Sequence, residues 1–151
     1  GATLSQAILH RTNLQNTCLR DADLSGARLN VACLNGANAE NATMPQTNLR
    51  SARLINTNLK NVDLSRSHLE ETNLEGAVLD GANLEAANLS RSRLRSASLE
   101  GTILKDAILV QAADLHFDAL CKSKTLCGAT LDPHLQARVD EKCPQLFQRR
   151  K

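Results

Sequence analysis

A leucine returns on every fifth residue from Leu4 to Leu109, and twenty of the 22 positions in that register hold Leu. The exceptions are Ala39 and Met44. Two residues ahead of each lies a small side chain: 13 Ala, six Thr, two Ser and Val62. The other three positions of each unit are mostly polar. On an α-helix a step of five rotates the side chain by about 140°, so the leucines would scatter around the cylinder. On a strand an odd step changes face at every repeat, sending half of them to water. Neither element buries this pattern.

A chain that turns a corner in every unit does bury it. The pair small-x-Leu then points inward, two residues apart on one side of a short extended stretch. Five of the seven glycines (Gly26, Gly36, Gly76, Gly81 and Gly101) fall two residues after the Leu, where a corner calls for positive φ. The place just before the Leu holds seven Asn and two Asp, which are also turn formers. One extra residue after Leu109 moves the next match to Ala113-Asp114-Leu115. A repeat this regular determines the architecture.

Units such as Ala22-Asp23-Leu24-Ser25-Gly26 and Ala82-Asn83-Leu84 resemble the pentapeptide-repeat family over about three quarters of the chain. The resemblance implies an all-β solenoid, a right-handed quadrilateral β-helix with about 20 residues per coil. The units then make about five and a half coils and, at ~4.8 Å per coil, a rod roughly 26 Å long. On that expectation residues 1–115 form the β-helix and 116–151 a C-terminal helical cap. Leu24, Leu64, Leu84 and Leu104 should stack in the core. Arg20, Glu40, Lys60, Asp80 and Glu100 should form one exposed charge column. Arg53, Arg93 and Arg95 share another face with Glu75, a mild positive patch that reads as solvated surface.

The pattern changes after Leu115. Phe117, Leu120, Cys121 and Lys124 have helical spacing over two turns. Gly128-Ala129-Thr130-Leu131 returns briefly to the repeat. Asp132-Pro133 then reads as an N-cap with Pro at the first helical position, and Leu135, Val139 and Cys143 share a helix face that Pro144 ends. An unpaired coil edge invites other strands, and short apolar-faced helices would cover it. Nothing ahead of Leu4 reads as such a cap. The N-terminal edge is therefore left to residues absent from this chain, a neighbouring molecule or solvent.

Composition narrows the functional classes. The chain has 18 basic and 16 acidic residues, a net charge of +2, and Phe117 and Phe147 as its sole aromatics. The core is therefore aliphatic, without the occasional central Phe of the family. A near-neutral surface without stacking aromatics argues against nucleic-acid binding. The apolar runs are too short to span a membrane. The chain starts inside the repeat at Gly1-Ala2-Thr3-Leu4, and a leader removed or omitted ahead of it fits that start.

Of the five cysteines, Cys18 and Cys33 precede core leucines and should be free, outward-facing thiols. Cys121 and Cys143 lie on the apolar faces of the two short helices and are the expected disulfide, with Cys127–Cys143 the runner-up. Zinc is a poor fit, since Cys121 and Cys127 with one later Cys lack a fourth ligand and His116 and His134 have no recognised spacing. The stretch Phe117 to Leu126, with Leu131-Asp132-Pro133 and Lys142-Cys143-Pro144, resembles the tail of cyanobacterial and plant pentapeptide-repeat proteins. That resemblance implies a disulfide-clamped helical cap in the chloroplast thylakoid lumen, or in the cyanobacterial lumen or periplasm. Cys127 stands where an aromatic is commoner, which leaves the pairing open.

No catalytic set stands out. A Gly-rich phosphate loop, a nucleophile elbow and a helix-borne His pair are all missing, and His10, His68, His116 and His134 are scattered. His68 and Glu70 flank Leu69. Asp23 and Asp63 fall two coils apart, about 9.6 Å, near an inverting-glycosidase separation, but on a face expected to be flat. The reading is a non-enzymatic scaffold without cofactor or metal, a monomer holding an unidentified protein partner. The alternative is a DNA mimic protecting type II topoisomerases, which Arg28, Arg50, Arg53, Arg66, Arg91, Arg93 and Arg95 disfavour.

Overall fold

A computed structural model of the chain describes residues 1–148. The last three residues of the expected cap, 149–151, lie outside the described residues. The chain winds into a four-sided coil whose rungs pair in parallel at a spacing of 20 residues: Thr3 with Asp23, Ile8 with Arg28, Asn13 with Cys33, Cys18 with Asn38, and so on. Each pairing is a single-residue bridge, so the sides are too short to be called strands. The rungs define four faces: the first runs from Thr3 to Thr125, the second from Ile8 to Thr130, the third from Asn13 to Ala113 and the fourth from Cys18 to Ser98.

The unit works because almost every backbone N–H in it finds an acceptor. The rung residue donates to the coil before it, as Asp23 N–H does to the Ala2 carbonyl at 2.9 Å, and the Leu donates to the coil after it, as Leu24 N–H does to Thr43 at 2.7 Å. At the corner, the second residue after the Leu has φ between 54° and 68° in all units and, except at Ser96 and Gln111, also donates to a carbonyl of the next coil. The small residue closes the turn onto the Leu carbonyl, as Ala27 does onto Leu24 at 2.9 Å. Thr47 departs from this: its N–H takes the Ser67 hydroxyl at 3.1 Å.

One N–H per unit remains, that of the first corner residue. All nine Asn and Asp at the place before the Leu register (Asn38 precedes Ala39) supply its acceptor through their own Oδ1, as Asn48 does for Arg50 at 3.1 Å and Asp63 for Ser65 at 3.0 Å. The Asn/Asp preference is thus a backbone requirement. The interior holds stacked Leu and Ala rows; Leu24, Leu64, Leu84 and Leu104 are all 0% exposed. Buried hydroxyls in the small-residue rows donate to Leu or Met carbonyls, as Thr57 does to Leu34 at 2.8 Å and Ser67 to Met44 at 2.8 Å.

The tail completes the last coil as well as covering it. α1 (Phe117–Cys121) takes the place of a fourth-face rung, and Thr125 and Thr130 then pair with Ile103 and Ile108. α2 (Pro133–Lys142) and a 3₁₀ turn, Pro144–Phe147, fold back over the end. Three details differ from the sequence expectation. α1 is five residues long rather than two turns, because the Lys122 carbonyl and the Lys124 N–H already bond to the coil below, at Gly101 and Thr102. Asp132 sits at the N-cap of α2 without capping it; its carboxylate accepts the Gln111 N–H at 3.0 and 3.1 Å, standing in for the carbonyl of a further coil. Leu146 is also buried, and its carbonyl accepts Leu126 N–H at 2.8 Å. At the opposite end Leu4, Leu9 and Leu14 are half-buried.

Candidate functional site

The acidic pair raised by the sequence is built into turns. Asp23 accepts the Ser25 hydroxyl at 2.6 Å and its N–H at 2.9 Å, and these two bonds hold its carboxyl below the ordinary value of 3.8. Asp63 accepts Ser65 N–H at 3.0 Å and the Asn83 side-chain amide at 3.1 Å. Carboxylates occupied this way are structural acceptors, poorly placed as acid and base. His68 Nδ1 stands 3.6 Å from Glu70 Oε1, which also receives Asn88 Nδ2 at 3.1 Å, and His68 is exposed. No group of three or more His, Cys, Asp or Glu that could hold a metal occurs among the described residues. No helix among them is long and apolar enough to cross a membrane.

The charge column stands on one corner, its members joined coil to coil through the neighbouring backbone. Arg20 and Glu40 approach to 3.5 Å. Higher up, Asp80 accepts the Ser98 hydroxyl and the Glu100 N–H, the latter at 3.1 Å, so two like charges stack where a coil amide holds them. Arg53 and Arg93 share the third face with Asn73 between them, and Arg95 stands at its edge above Glu75.

Cys121 is bonded to Cys143, with Cα atoms 5.8 Å apart. The bridge ties α1 to the end of α2, and the Arg138 guanidinium lies 3.8 Å over the Phe117 ring on the same pair of helices. Cys18, Cys33 and Cys127 are free. A concavity absent from the sequence reading opens where the tail meets the coil, an open groove of about 710 Å³ lined by Lys105, Asp106, Lys124, Cys127 and Gln145 among others. The Glu85 carboxylate, 2.6 Å from Lys105 Nζ, holds that amine above its ordinary value, so it is a fixed cation rather than a base. No sequence signal marks this groove, since it depends on how the last turn packs.

A rod with a filled interior, flat sides and repeating side-chain columns is a β-solenoid of five-residue units. The Pentapeptide repeats family matches in eight copies over residues 1–30, 32–70 and 67–106. The chain belongs to the pentapeptide-repeat family, whose solved members imply a right-handed quadrilateral β-helix. No curated protein sequence matches it. Among solved structures, the pentapeptide repeat protein Rfr23 from the cyanobacterium Cyanothece 51142 is 32% identical over 74% of this chain and 60% of its own, with a TM-score of 0.50. HetL from the cyanobacterium Nostoc sp. PCC 7120, involved in heterocyst differentiation regulation, is 25% identical over 85% of this chain and 76% of its own, at 0.50. A thylakoid-lumen pentapeptide repeat protein from Arabidopsis thaliana is 20% identical over 85% of this chain and 77% of its own, at 0.48. The chain thus spans less than two thirds of Rfr23.

Proposed function

We propose that this protein is a non-enzymatic interaction module that holds a protein partner against one flat face. The observation that supports it is the backbone network, which joins each coil to the next and fixes the outward columns at a regular ~4.8 Å step. Such a surface is ordered before a partner arrives, so binding loses little further freedom. The tail resemblance, and a bridge suited to an oxidising compartment, favour the thylakoid lumen or the periplasm. The DNA-mimic alternative is less well supported, because Arg28, Arg50, Arg53, Arg66, Arg91, Arg93 and Arg95 are all exposed and cannot imitate a phosphate backbone.

A photo-crosslinking residue placed in turn on each of the four faces tests the reading. In lumen or periplasm extract, one face should yield a reproducible protein adduct and the other three should not. Equal, non-specific labelling from all four faces overturns it.

A further inference from the structure

The third face carries an arrangement that the fold does not need. On its fifth coil Arg91, Arg93 and Arg95 span the full width, from one corner to the other, and all three are exposed. Two coils below Arg93 in the same column stands Arg53, also exposed, with Asn73 between them. Glu71 and Glu75 lie one coil under Arg91 and Arg95, yet neither carboxylate forms an ion pair with them. Glu71 instead accepts the Ser51 hydroxyl at 3.2 Å, and Arg91 Nε donates to Gln111 at 3.0 Å. Arg53, Arg93 and Arg95 make no side-chain hydrogen bond or ion pair among the described residues, so their guanidinium forks are free. This contrasts with Arg20 and Lys105, whose charges are met by Glu40 and Glu85.

Apolar surface continues the face toward the N-terminal end. Val31 is 47% exposed at its corner, half-buried Cys33 lies beside it on the same coil, and half-buried Ile55 stands at the opposite corner one coil on. Val31 also has φ of 62°, a left-handed backbone that a β-branched residue adopts at a cost. A merely solvated corner would be better served by Asn or Gly, as in the preceding and following corners, Gly26 and Gly36.

We infer that the third face binds an acidic, extended segment of a protein partner, with carboxylates on Arg53 and Arg93 and an apolar side chain against Val31 and Cys33. This rests on the interaction-module reading and names the face and the partner's chemistry. A guanidinium fork matches a carboxylate in two parallel hydrogen bonds. Two coils separate the forks by about 9.6 Å, close to the ~9.3 Å that an extended polyproline-type chain advances in three residues. The interleaved Glu71 and Glu75 interrupt what would otherwise suit a continuous phosphate backbone, and no aromatic stands on the face to stack a base.

The test is fluorescence anisotropy on the full chain with a labelled peptide in which Glu recurs at every third residue among Gly and Ser. The same peptide with Gln for Glu and a short DNA duplex are the comparison probes. The Glu peptide should bind, the Gln peptide should not, and the duplex should bind more weakly. Binding should fall at least about tenfold in R53E/R93E, fall less in R53K/R93K, and be unchanged in R28E on the second face. Circular dichroism confirms that the variants are folded, and R53Q/R93Q serves if the reversal unfolds. No binding of the Glu peptide, equal loss in R28E, or tighter binding of the duplex overturns the inference. A partner crosslinked from another face, together with those negative results, removes the arginine face while leaving the interaction module standing.

Discussion

At the scale of single residues, the repeat is a list of backbone demands. Asn or Asp before the Leu answers the one N–H that the coil leaves free, and the sequence shows the preference without its reason. The left-handed corner explains the five glycines, but 17 other corners hold residues with a side chain. Val31 is the least suited of them, so Val31→Asn should raise stability by about 1 kcal/mol through relief of that backbone. Urea unfolding measures it, and an unchanged midpoint would mean that the corner tolerates valine. Ser92 is a different local feature: its buried hydroxyl has no partner among the described residues, unlike the other buried Thr and Ser hydroxyls of the small-residue rows.

Among the elements, the tail is where sequence reading was least complete. The Pro133 start of α2 and its Leu135–Val139 face follow from local rules. The length of α1 does not, because it is set by where the coil below needs its next rung. Asp132 shows the same limit: its position is that of a helix cap, but its carboxylate serves a coil edge distant in sequence. The Cys121–Cys143 bridge closes a separation of 22 residues. Replacing both cysteines by Ala should cost about 3 kcal/mol, mostly by freeing the unfolded chain. The loss should appear first as proteolysis of the tail, with the circular dichroism of the coil retained at low temperature. Simultaneous loss of both signals would mean that the cap and the coil unfold as one unit.

For the whole molecule, a solenoid holds each coil mainly through its neighbours. Leu64, 0% exposed and stacked on both sides, should lose about 2–5 kcal/mol on change to Ala. Leu4, half-buried with a coil on one side only, should lose about 1 kcal/mol. Equal costs in thermal unfolding would contradict nearest-neighbour packing. The five-residue period alone dictated a corner in every unit, an aliphatic interior and outward columns one coil apart, since no other geometry buries small-x-Leu at that spacing. It did not determine which charges meet across coils. Arg20 reaches Glu40, while Arg91 turns from Glu71 to Gln111, because side chains of equal reach choose among several acceptors. Nor could it locate the groove beside Cys127, which exists only where the returning tail packs on the last corner. Local backbone needs repeat and are legible in the chain; contacts between distant segments occur once and are decided by packing.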